Sequence, residues 1–180
     1  MVISFFDSAM EITMPKKQTL KKAQKAKRAG KAPTTQASAF VKEEIDTIRR
    51  GEHGARSPEQ AIAIGLSKAR RAGIALRPPK KGQVKASTRK SAKYAHEAGQ
   101  HERTPRRRPR VSRAVTEVLK HERRSTVSRK ALSRHGARAA TRRSASQRSA
   151  AARKAVRTKG AAARSAAAKK AARTRAQHAR

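Results

Sequence analysis

Two stretches near the C-terminus carry the same chemistry in the same order: SAAARKAVRTKG, residues 149–160, and SAAAKKAARTRA, residues 165–176. Their functional atoms are ammonium and guanidinium groups, at Arg153, Lys154, Arg157 and Lys159 in the first copy and at Lys169, Lys170, Arg173 and Arg175 in the second, with Arg164 between them. Such groups make charge-assisted hydrogen bonds to phosphate. Neither copy holds a nucleophile beside a base, a metal cage or a bulky apolar side chain. On a helix Arg153 aligns with Arg157 and Lys169 with Arg173, because residues four apart share a face. The alanines between them leave room for the backbone to lie close to a nucleic-acid groove. The expected contact is to phosphate and carries no sequence information. Codon drift in a GC-rich gene would account for the composition, but not for a sixteen-residue period that keeps Ser, Arg and Thr in register.

A second cationic candidate is the stretch MPKKQTLKKAQKAKRAGK, with Lys16, Lys17, Lys21, Lys22, Lys25, Lys27 and Arg28 and no acid. The bland alternative for it is a solvated tail that only aids solubility. A third is the triplet Arg106, Arg107 and Arg108 between Pro105 and Pro109, where the backbone is expected to be extended. Arginines in that setting can enter a narrow minor groove or simply touch phosphate.

Other residues that invite a chemical reading do not sustain one. HEAGQH, residues 96–101, resembles a zinc-protease motif, but that motif needs its second His at i+4, which is Gln100 here. His101 falls off the face, so no metal site is expected. Glu43, Glu44 and Asp46 read as a solvated helix face turned toward the basic arms rather than a catalytic carboxylate pair. HGAR occurs at 53–56 and 135–138, and both read as glycine-containing turns. With no Cys, no glycine-rich phosphate loop and no Ser–His–Asp spacing, catalytic residues and cofactors are expected to be absent and the chain is expected not to be an enzyme.

The charge sets the wider frame. The 180 residues hold 48 Lys plus Arg against 11 Asp plus Glu, a net charge of +37. Self-repulsion at that density opposes compaction and calls for a polyanion, of which nucleic acid is the commonest in a cell. Aromatic residues make up 2% and Trp is absent, so a large core is not expected. No apolar run approaches the ~20 residues that span a bilayer, and MVISFFDSAMEIT has no basic n-region or cleavage signature. No membrane partner is expected, and the location expected is the cytoplasm, at the nucleoid.

The elements that must position these cations follow. Residues 1–13 differ from the rest and read either as an extension assigned in error ahead of a start at Met14 or as a poorly ordered lead. Residues 14–33 form a basic arm, helical over 16–29 but with only Leu20 as a sizeable apolar residue and marginal alone. Residues 34–79 read as an αα-hairpin. Phe40, Val41, Ile45 and Ile48 share one helical face that stops at Gly51. Ser57, Pro58 and Gln60 form a capping box that opens a second helix with an Ile62, Leu66, Ala69 stripe and a stop at Gly73. Ala61, Gly65 and Ala69 make a small-residue row that admits a close helix. At this size the hairpin needs a partner or self-association, which makes a homodimer through 57–73 a second expected partner. Residues 80–108 read as a basic linker. A short helix pair fills 109–136: a helix over about 111–123 with a Val111, Val115, Val118, Leu119 stripe, then one capped by Ser125 or Thr126 and stopped by Gly136. Residues 137–180 form a low-complexity tail, disordered when free and helical once phosphates neutralise it. Fully helical, it would reach ~66 Å. The fold class expected is mainly α with extensive disorder.

The segment SPEQAIAIGLSKARRAG, residues 57–73, followed by Pro78, resembles a family of small bacterial proteins of unknown function, often labelled DNA-binding, that share a QAIAIGLSxARxAG core. The likeness extends over roughly residues 14–80. The Ala/Lys/Arg tail resembles bacterial histone-like proteins and eukaryotic linker-histone tails. Both resemblances imply a DNA partner and carry no catalytic residue across. Charge and resemblance together lead to the expectation of a largely sequence-independent DNA-binding protein. The alternatives are an RNA- or ribosome-associated protein and a helical protein-interaction module localised by its tails.

Overall fold

The computed structural model describes residues 15–102, 104 and 109–178. The described elements are helical throughout: α1 Lys17–Arg28, α2 Pro33–Arg50, α3 Pro58–Arg71, α4 Ala86–Gly99, α5 Pro109–His121, a 3-10 turn Ser125–Val127, α6 Arg129–Thr141 and α7 Ala145–His178. They divide into two units, residues up to Leu132 and residues from Ser133.

In the first unit the helices pack in sequence, α1 on α2, α2 on α3 and α3 on α4. Local signals fix the α2–α3 pair at its centre. Pro33 supplies the pre-set φ of a first helical turn, and α2 ends at Gly51, whose φ of 88° belongs to the left-handed region. Ser57 Oγ accepts from the Gln60 N–H at 3.2 Å to open α3. The Gln60 side chain accepts in turn from the Arg56 N–H at 2.7 Å, one residue ahead of the cap.

The small-residue row is consumed inside the chain. A Cβ on Gly65 would lie 2.7 Å from Val41 Cα, and Ala61 and Ala69 are fully buried. The row therefore faces α2 and is not open to a second copy. Two apolar clusters follow: Ala23, Ala37, Phe40, Ala69 and Ile74 in one, Ile48, Ala55, Ala61 and Val127 in the other. Support for the α2–α3 pair comes from its own chain. Thr19 and Ala23 bury α1, and Glu43 Oε1 accepts from the Lys16 backbone N–H at 2.8 Å.

Several expectations are corrected here. Residues 80–108 are not a continuous linker, since α4 occupies 86–99 and buries Ala92, Ala95, Ala98 and Gly99. Gly99 has no room for a Cβ against the Arg70 carbonyl, and Gln100 Nε2 donates to the Gly73 carbonyl at 3.2 Å. In α5, Val111, Val115 and Val118 are more than half exposed, at 52–55%, while Thr116 and Leu119 are buried. The reason is that α5 is held at its end: the Gly54 N–H donates to Leu119 O at 2.7 Å, and Arg56 grips Glu122 at 3.1 Å. Neither Ser125 nor Thr126 caps the next helix. Ser128 does, accepting from the Ala131 N–H at 3.3 Å, and α6 runs through Gly136, so the second HGAR is helix rather than turn.

Glu44 is not on a solvated face. It is fully buried, with Lys68 Nζ 2.8 Å from one carboxylate oxygen and His53 Nε2 3.3 Å from the other. His53 Nδ1 faces the Gly54 carbonyl at 2.9 Å, where it must donate. One carboxylate thus joins α2, α3 and the loop between them.

Two outcomes test this packing. Gly65→Ala should destabilise the first unit by about 2 kcal/mol, since a rigid backbone opposes the new methyl; Gly136→Ala, with nothing within 4 Å, should not. Thermal melts of the two variants decide it. Glu44→Ala should cost about 3–5 kcal/mol by leaving Lys68 buried without its counter-charge, and Glu44→Leu with Lys68→Met should recover most of that. Equal urea midpoints for the single and double variants would show that the pair is not what holds the helices together.

Candidate nucleic-acid interface

The predicted cations occupy helical surfaces. On α1 the buried Thr19 and Ala23 define the inner side, and Lys16, Lys17, Lys21, Lys22, Lys25, Lys27 and Arg28 are all exposed. Lys21, Gln24, Lys25 and Arg28, spaced i, i+3, i+4 and i+7, line a shallow recess of about 420 Å³. This stripe follows from burying a helix by small residues on one side only. Every cation is then left to the other side.

Not every base reaches the surface. Of the three in the last turn of α3, Lys68 is spent on Glu44. Arg70 is buried, with Nε donating to the Leu76 carbonyl at 3.1 Å, and that burial lowers its affinity for its proton below the ordinary arginine value. Only Arg71 remains exposed.

Helix α4 adds cations that the sequence reading missed. Arg89, Lys90 and Lys93 are exposed, opposite the buried alanines. The signal was present as Ala92, Ala95 and Ala98, a stripe of small residues at i, i+3 and i+6 that a search for bulky apolar side chains passes over. The triplet Arg106, Arg107 and Arg108 lies outside the described residues.

In the second unit, α7 buries none of its side chains. Arg153, Lys154, Arg157, Lys159, Arg164, Lys169, Lys170, Arg173 and Arg175 are all exposed. The two repeat copies are equivalent in local structure as well as in sequence. Thr158 Oγ1 donates to the Lys154 carbonyl at 3.0 Å, and Thr174 Oγ1 donates to the Lys170 carbonyl at 3.1 Å. Such back-bonding removes a polar group from competition and bends a helix slightly.

The tail is not one continuous rod. Residues 142–144 interrupt it, and Ser144 opens α7 with a second S-x-x-Q box: Ser144 Oγ accepts from the Gln147 N–H, and Gln147 Oε1 accepts from the Ser144 N–H, each at 3.2 Å. Gly160 then breaks α7 with φ 66° and ψ 170°, a region open essentially to glycine alone. Arg164 Nε donates to the Gly160 carbonyl at 3.1 Å, one turn on. The break has a geometric consequence. On an uninterrupted helix at ~100° per residue, a sixteen-residue shift turns the second cation set about 160° from the first. Gly160 frees the two sets from that opposition.

Among the described residues, no group of three or more His, Asp or Glu is placed to hold a metal ion, and no helix is long and apolar enough to cross a membrane. No known protein-family model, curated protein or solved structure matches the chain.

In a helix-promoting co-solvent such as trifluoroethanol, replacing Gly160 by Ala should raise the far-UV helical signal of the full chain, since alanine is favoured by ~1 kcal/mol in a helix interior and is excluded from the conformation seen here. An unchanged signal at 222 nm would place the break elsewhere.

Proposed function

We propose that the protein is a non-enzymatic DNA-binding protein of nucleoid type that neutralises phosphates with little sequence preference. The observation that carries this reading is the run beyond Glu122, which holds nineteen Lys or Arg and no acid, ten of them on α7, a helix with no buried side chain. A helix with no packed face gains nothing from its own chain, and like charges one turn apart oppose it in water. Phosphates remove that opposition, so the tail is disordered when free and gains helix on a duplex. The α1 stripe supplies a second set of contacts from a packed support.

Association is driven by release of counterions. With about ten cations engaged, log K should fall against log salt with a slope of roughly −9, and scrambled duplexes should bind alike. Anisotropy titrations of labelled duplexes at several salt concentrations measure both. Removing residues 142–180, downstream of α6, takes away thirteen Lys and Arg and should flatten the slope by more than half. A slope near −2 in the full chain, or a strong preference for one duplex, would overturn the reading. Tighter binding to structured RNA in direct competition would move the partner from DNA to RNA.

A further inference from the structure

The arm and tail require only phosphate, but one recess in the first unit is built differently. It lies between the end of α3 and the outer side of α4, holds about 870 Å³, and is lined by Arg71, Lys90, Lys93 and Tyr94 together with Glu97 and Glu102. Tyr94 is half-buried and is the only Tyr of a chain without Trp. Phe40 is fully buried, so Tyr94 is the aromatic ring that the described surface offers, and in this recess it stands among cations and carboxylates.

We propose that this recess receives an unpaired nucleobase of a single-stranded nucleic acid. Lys93 Nζ lies 3.6 Å from Glu97 Oε1, so the lining cancels much of its own charge and a bare phosphate gains little here beyond what any exposed cation offers. A carboxylate-bearing small molecule is disfavoured on the same ground. A nucleotide unit satisfies all three kinds of group at once. Its phosphate meets Arg71 or Lys90. Its base stacks on the Tyr94 ring. An exocyclic amino group, such as cytosine N4, donates to a carboxylate. A base held in a duplex stack cannot reach the ring, so the site selects unpaired strands where the tail accepts any phosphate backbone. The site uses none of the arm or tail residues and goes beyond the charge-driven reading.

The sole tyrosine is also the reporter. The full-length chain is titrated at moderate salt with oligo(dC), oligo(rC), an abasic deoxyribose-phosphate strand of equal length and a duplex, with tyrosine emission read against free N-acetyltyrosinamide to correct for absorption. Saturable quenching by oligo(dC), oligo(rC) or both, with none from the abasic strand or the duplex, is the expected result, and the strand that quenches names the sugar. Equal quenching by the abasic strand, quenching by the duplex, or no quenching by any strand overturns the proposal. A second measurement uses labelled strands. Tyr94→Leu should lose roughly tenfold in affinity for oligo(dC) relative to the abasic strand, and Tyr94→Phe should restore it. If the Leu variant fails to fold, the wild-type quenching still decides. Anisotropy of the same labelled strands separates the two readings: base-independent, salt-sensitive binding without quenching defeats the recess and leaves the charge-driven function standing.

Discussion

Counter-charge is the scarce component of this chain, and its placement governs the rest of the structure. Against 48 bases there are 11 acids, nine of them between Glu43 and Glu122. Three of these connect elements. Glu43 receives the backbone N–H of Lys16 and ties the start of α1 to α2. Glu44 gathers α2, Lys68 of α3 and His53 of the loop between them. Glu122 holds Arg56 and brings the end of α5 onto that loop. Others pair along a single helix, as Asp46 does with Lys42 and Glu117 with Lys120, where exposed pairs contribute little. The hydrogen bond and charge of Lys120 hold the Glu117 carboxyl below its ordinary value, but at a fully exposed site. Packing ends where acid ends: the last acid is Glu122 and the last buried residue described is Val127. Beyond that point charge repulsion is unopposed and no side chain is buried in α7.

A chain short of large apolar residues compensates by bringing backbones together. Alanine supplies most of the buried apolar residues described, with Phe40 the one aromatic among them. Each alanine contributes little transfer energy, so stability depends on dispersion between closely packed backbones. Gly54, Gly65 and Gly99 mark the closest approaches, where a Cβ would meet the backbone of Glu122, Val41 and Arg70. The cost of this solution is low tolerance, since even a methyl group has nowhere to go. Its benefit for the surface is that inner faces need only small residues. The outer faces of α1 and α4 are then left to long cationic side chains, which stand on a rigid support.

Much of this was legible in the sequence, and the failures share one cause. The cap at Ser57, the stops at Gly51 and Gly73 and the small-residue row were readable because each is a local signal with a steric or hydrogen-bonding mechanism. The exposed cations of the arm and tail were readable because nothing near them in sequence could neutralise or bury them. Helix α4 is hard to read because polarity marks a linker as readily as a surface helix, although Ala92, Ala95 and Ala98 suffice where a neighbouring backbone comes close. Glu44 was misplaced because adjacent acids on a helix are usually solvated, and its two partners, Lys68 and His53, lie far off in sequence. The valine stripe of α5 failed for the opposite reason. Its periodicity is genuine, but α5 is anchored by Gly54 and Glu122 at its C-terminal end, and periodicity does not reveal which side of a helix a distant loop will meet.

The sixteen-residue repeat acquires its meaning from the glycine at its boundary. Two cation sets fixed about 160° apart on one rigid helix could not both reach a single groove, so repetition without a break would add charge but few simultaneous contacts. With Gly160 between them, each copy is a short helical segment that can settle on phosphate independently. Once the first copy is bound, the second searches only the small volume its tether allows, which raises its effective concentration. The same logic extends to the α1 stripe, joined to the tail through a packed unit instead of a single residue. On the function proposed, several weak, phosphate-only attachments on one chain combine into firm binding, although none of them reads a base. The base site proposed at Tyr94 would act within that attachment: the cations would bring a strand near, and the ring and carboxylates would distinguish an unpaired base from the backbone that carries it.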